Sequence, residues 1–156
     1  MIQAKVRLTF PGTRQFMLET GSGHRFIVDD SIGQTGPKPI ELVAGALAGC
    51  TAFDVVTFLR SKKHKDVTGY EVSVEAEQRM SPPQVFTEVR VHHSLTGVDI
   101  DPQSLEEAIH LSESKYCSVG AMLKQSGATL KTTYSIHPAE KTTGKNGHKE
   151  PATALV

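Results

Sequence analysis

Two cysteines are the residues of this chain best suited to covalent chemistry. Cys50 and Cys117 stand 67 residues apart. That spacing fits neither a CxxC redox motif nor a zinc pattern. Cys50 lies in Ala48-Gly49-Cys50-Thr51, where small neighbours let another backbone or a substrate come close. Cys117 lies in Lys115-Tyr116-Cys117-Ser118. If a helix starts near it, the free N–H groups and the helix dipole favour a thiolate there, and Lys115 adds positive charge. A thiolate can attack a peroxide, become a sulfenic acid and be captured by a second thiol as a disulfide. The competing reading is a pair of packed, inert thiols in the core. His92 and His93 are adjacent, so on a strand they point to opposite faces and do not readily share a metal. His24 reads as a solvated strand residue. No metal or cofactor is expected.

Composition narrows the setting. Lys+Arg and Asp+Glu number 17 each, so the net charge is zero and there is no electrostatic case for nucleic acid or an anionic membrane. The opening MIQAKVRLTF reads as a strand and not as a signal peptide. The longest charge-free apolar stretch, Leu42 to Phe53, is too short to span a bilayer. The expectation is a soluble cytoplasmic protein. In a reducing compartment two cysteines do not form a permanent structural disulfide, which leaves packing or redox chemistry.

The elements that must position these thiols follow from periodicity. Ala4, Val6 and Leu8 alternate with charged residues, Phe16 and Leu18 repeat the pattern, and His24 to Val28 makes a third strand after Gly21-Ser22-Gly23. Pro39 suits the first turn of a helix running from Ile40 to about Arg60. That helix is apolar nearly all round, so it should be buried on every side. Two strands follow, through Tyr70–Ala76 and Val85–Leu95. Asp99 or Asp101 can cap a second helix with Pro102 in its first turn. Lys115 to Lys124 continues as helix after a break near Ser114, Gly127 closes it, and Leu130–Ile136 alternates as a last strand. The fold class is α+β. Residues 1–137 form one domain, and 138–156 read as a disordered polar tail. One domain of this size struggles to cover so apolar a helix, and a homodimer that stacks the central helices of two chains would cover it.

The stretches GPKPIELVAGALAGCTAFDVV (Gly36 to Val56) and LSESKYCSVGAML (Leu111 to Leu123) resemble the OsmC/Ohr family, the osmotically induced and organic-hydroperoxide-resistance proteins. Pro-x-Glu-Leu before Cys50 and Asp-Val-Val after it look most like the YhfA-like branch. The resemblance implies antiparallel sheets around a buried central helix, in an intertwined homodimer with active sites at the subunit interface. It implies a thiol-dependent peroxidase acting on organic hydroperoxides. Cys50 would be the peroxidatic cysteine, Cys117 would resolve its sulfenic acid as a disulfide, and a dithiol reductant would restore both. It also implies an arginine that stabilises the thiolate, at Arg14 here, held by a glutamate ten residues before the cysteine. That position is Ile40 in this chain, with Glu41 beside it. On a helix Glu41 lies about 13 Å along the axis from Cys50.

Asp54 is the candidate for the missing carboxylate. It follows Cys50 by four residues, so on a helix it shares the same face about 6 Å along the axis. A bare carboxylate there disfavours the thiolate, whereas one that holds a cation over the sulfur favours it. Arg14 of either subunit is the expected cation, with Arg25 next. On that reading Asp54→Asn reacts more slowly with hydroperoxide. The alternatives to a peroxidase are a slow thiol redox sensor and a protein that binds an apolar ligand without turnover.

Overall fold

The computed structural model describes residues 1–139. The chain runs β1 (Ala4–Leu8), β2 (Phe16–Thr20), β3 (Arg25–Val28), α1 (Pro39–Ser61), β4 (Asp66–Gln78), β5 (Phe86–Val98), α2 (Pro102–Leu111), a π-helical turn (Ser112–Tyr116), α3 (Ser118–Gln125) and β6 (Thr129–Pro138). The α+β class holds, with two three-stranded sheets ordered β1-β2-β3 and β4-β5-β6. The last strand includes Pro138, one residue past the expected domain end. The tail expected beyond it lies, from 140 on, outside the described residues.

One pairing departs from the antiparallel expectation. β6 runs parallel to β5, with Val89 opposite Leu130 and Val91 opposite Thr132. Its cause is the connection: α2, the π-helical turn and α3 carry the chain back along the sheet, so the returning strand enters in the same direction. The β1-β2 and β4-β5 pairs are antiparallel.

Local chemistry sets the helix starts. Pro39 opens α1, and the Glu41 carboxylate accepts from the Lys38 backbone N–H at 2.9 Å while pairing with Lys38 Nζ at 3.2 Å. Of the two aspartates that could cap α2, Asp101 does so, accepting from the Ser104 N–H and the Ser104 hydroxyl at 2.8 Å each. The basic run after α1 reaches the same helix: Lys65 pairs with Asp101 at 2.6 Å and Lys63 with Glu107 at 2.5 Å. Gly127, at φ +93°, supplies the left-handed turn between α3 and β6.

The central helix is not buried on every side by its own chain. Leu47, Thr51, Val55 and Leu59, spaced at four residues, are buried against β4, β5 and α2. Burying each of the three aliphatic side chains, Leu47, Val55 and Leu59, stabilises the fold by roughly 1.5–3 kcal/mol. The opposite face is open. Phe53 is 79% exposed, and the space over Gly45 and Gly49 is empty. By length and composition α1 could cross a membrane, but its packed stripe belongs to the core of this fold. The β1–β3 sheet touches the rest of the chain only sparsely, and Val6 and Leu8 on it, with Phe10 in the turn after β1, are exposed.

Two apolar clusters fill the core. Val55, Leu59, Val67, Leu95, Leu105 and Ile109 form one, and Leu47, Phe86, Val89, Val91 and Cys117 form the other. Thr51, Ser112 and His93, all buried, make the polar side of this interior.

Candidate active site

Cys50 lies mid-way along α1, half-buried, and packs on the cluster that contains Cys117. Cys117 is only 4% exposed and forms the N-cap of α3. Both are free thiols. The Cys50 thiol lies close enough to Cys117 to affect its ionisation. The fold therefore brings together two cysteines that the sequence separates by the whole of β4, β5 and α2.

Cys117 has a different ionisation from the one its helix start suggests. The Gly120 N–H donates to its Sγ at 3.3 Å, which favours the thiolate. Burial acts the other way and is larger, aided by the hydrogen bond to Cys50 and by the charges of Cys50 and Asp54. The thiol is pushed up to about 11. Lys115 does not offset this, because its Nζ lies 5.3 Å over the Tyr116 ring. Cys117 is thus a buried thiol raised above its ordinary range and packed in the same cluster as Cys50, suited to a second step and not to a first attack.

Asp54 is held by Ser112, whose hydroxyl donates to Oδ2 at 2.8 Å. Thr51 Oγ1 lies 3.2 Å from the same Ser112 oxygen. Arg14 is elsewhere within the chain: it is 78% exposed and meets Asp30 at 3.4 Å. Arg25 pairs with Glu19 at 2.8 Å. Glu41 is engaged in capping α1. One chain therefore unites Cys50, Cys117 and Asp54, and leaves both candidate arginines on the outlying β1–β3 sheet.

Several buried polar residues of this interior carry no sequence signal of a site. Ser112 and Thr51 read as ordinary small polar positions. His93 is 1% exposed, and its Nδ1 lies 2.5 Å from the Tyr70 hydroxyl. His92 faces the other way, towards Thr133 and Ser135, as adjacent strand positions require. Beside Asp54 and Ser112 a hollow of about 250 Å³ opens between Phe53, Phe58, Leu111 and Tyr116. Among the described residues no three His, Cys, Asp or Glu side chains are placed to hold a metal ion.

Residues 31–133, which include both cysteines, match the family of OsmC-like proteins. The chain belongs to the OsmC-like family. It is 38% identical over 128 residues to protein YhfA of Escherichia coli strain K12, covering 80% of this chain and 90% of that one. A solved structure of a hypothetical protein from Aquifex aeolicus VF5 superposes with a TM-score of 0.79 at 25% identity, over 90% of this chain and 98% of the other. The organic hydroperoxide resistance protein OhrB of Bacillus subtilis shares the fold, with a TM-score of 0.55 at 17% identity over 88% and 98% of the two chains. The OsmC-like fold thus accounts for the element order.

Proposed function

We propose that this OsmC-like protein is a cytoplasmic thiol-dependent peroxidase that reduces organic hydroperoxides. The observation that carries the reading is the packing of a half-buried Cys50 against the cluster that holds the buried Cys117. Cys50 attacks the terminal peroxide oxygen, the O–O bond breaks, and the products are an alcohol and the Cys50 sulfenic acid. The Cys117 thiol then displaces the hydroxyl as water and an S–S bond forms. A dithiol reductant returns both cysteines to thiols and is itself oxidised to a disulfide. The apolar hollow beside Asp54 favours a hydroperoxide with a hydrocarbon body over hydrogen peroxide.

The working unit in this proposal is a homodimer. The open face of α1 at Gly45, Gly49 and Phe53 stacks on its counterpart, and the outlying β1–β3 sheet wraps the partner. That arrangement carries Arg14, with Asp30 beside it, towards a cysteine of the other chain, and Asp54 helps to hold it there. Light scattering at micromolar concentration should give twice the chain mass. Phe53→Asp, which sets a charge in the stacked face, should abolish the dimer. A monodisperse, folded wild-type monomer contradicts this assembly.

Turnover tests the chemistry. With an organic hydroperoxide and excess dithiol, one protein molecule should consume many molecules of hydroperoxide. Disulfide formation that is slow, over many minutes, would favour a redox sensor. No thiol loss at all would favour a protein that only binds apolar ligands.

A further inference from the structure

The geometry points to Ser112 as the positioning residue for the disulfide step, acting as a clamp between the two cysteine-bearing segments. The inference rests on the proposed Cys50–Cys117 chemistry. Ser112 makes two connections at once. Its backbone carbonyl accepts the Cys117 N–H at 2.8 Å, five residues on, which closes the π-helical turn. Its hydroxyl donates to Asp54 at 2.8 Å, with Thr51 at 3.2 Å, and both of these belong to the helix that carries Cys50. One residue therefore ties the backbone of Cys117 to the turns of α1 next to Cys50.

The position is unusual for a polar side chain. Along α2 the inward residues are Ser104, whose hydroxyl is used up in capping the helix at Asp101, then Leu105, Ala108 and Ile109, and Ser112 continues that row at 1% exposure. An alanine there would satisfy packing. A buried hydroxyl is tolerated only when bonded, and here the bond crosses from one segment to the other. The π-helical turn inserts one extra residue per turn, a departure from regular helix often found at functional sites. Here it re-aims the chain so that Cys117, and not Tyr116, faces inward: Cys117 is buried and Tyr116 is exposed.

The step that depends on this clamp is balanced without any further reactant. The Cys50 S–O bond breaks, the Cys117 sulfur forms the S–S bond, and the thiol proton leaves with the hydroxyl as water. Its rate depends on holding two sulfurs in the narrow geometry a disulfide allows, and small misplacements of reacting groups are costly in rate.

Equilibration in a glutathione redox buffer tests the clamp with no hydroperoxide present, so its failure is distinct from failure of the peroxidase reading. There the two thiols and glutathione disulfide exchange with the protein disulfide and two glutathione thiols. The ratio of disulfide to dithiol protein should fall about tenfold in Ser112→Ala. In Ser112→Thr, which keeps the hydroxyl, it should stay within about twofold of the wild type. With hydroperoxide, Ser112→Ala should accumulate sulfinic acid at Cys50, because the resolving step is the one the clamp serves. An unchanged ratio in Ser112→Ala overturns the clamp, and so does an equal fall in both variants.

Discussion

Replacing Cys50 with serine is expected to reduce hydroperoxide consumption to the level of a protein-free blank. Cys50 is the more exposed of the two thiols, whereas burial pushes the Cys117 thiol up to about 11 and leaves it protonated near neutral pH. A serine hydroxyl is not ionised there, and its oxygen cannot accept a further oxygen atom as sulfur does. Cys117→Ser should behave differently. It should consume the first equivalent, hold a sulfenic acid at Cys50 and over-oxidise when more hydroperoxide is added. A direct peroxide assay on the purified variants reads both. Wild-type consumption by Cys50→Ser would remove the mechanism, because no other residue has been given the attacking role.

A loss of stability in mild acid, traceable to His93, is the second large effect. His93 is held down to about 4 from an ordinary value of 6.5. Burial is the main cause. The charge of Glu113 opposes it and His92 adds slightly to it. The neutral ring stacks on Tyr70, with centroids 5.9 Å apart, and bonds the Tyr70 hydroxyl, which burial keeps protonated. Between pH 6.5 and 4 the unfolded chain takes up a proton here that the folded chain refuses. This contribution is therefore fully present above pH 6.5 and is lost as pH falls to about 4, by about 3 kcal/mol in total. Urea unfolding across that range should give a falling midpoint, and His93→Gln, which keeps a partner for Tyr70, should flatten the slope. An equal slope in the variant would place the acid sensitivity elsewhere.

The sequence showed the elements well because each has strong punctuation. Pro39 and Glu41 mark the start of α1, Pro102 marks α2, and the alternation in Ala4–Leu8 and Leu130–Ile136 marks edge strands. What it misjudged depends on tertiary placement. That one domain would not cover the all-round apolar α1 was legible, and its own chain indeed covers only the Leu47–Leu59 stripe; which face stays open was not, since hydropathy does not say whose atoms cover a face. The direction of β6 follows from a helical crossover of some thirty residues and leaves no local pattern. For the site, the two cysteine segments were legible through their resemblance to the OsmC/Ohr family. The chemistry of Cys117 was not: its helix N-terminus suggested a thiolate, but burial among Leu47, Val89 and Val91 is the larger effect. Ser112 was hidden for a simpler reason. A single serine at the end of an amphipathic row carries no signal until the π-helical turn and Asp54 are seen around it.

The central claim is that hydroperoxide links Cys50 to Cys117. Its most direct measurement is the intact mass and peptide map of reduced protein after one equivalent of organic hydroperoxide, with free thiols then blocked by an alkylating agent. The chain should lose two hydrogen atoms, take up no alkylating agent, and yield one disulfide joining the Gly36–Val56 stretch to the Leu111–Leu123 stretch. A chain that still alkylates at both cysteines, or a disulfide that joins two Cys50 residues from different chains, would contradict it.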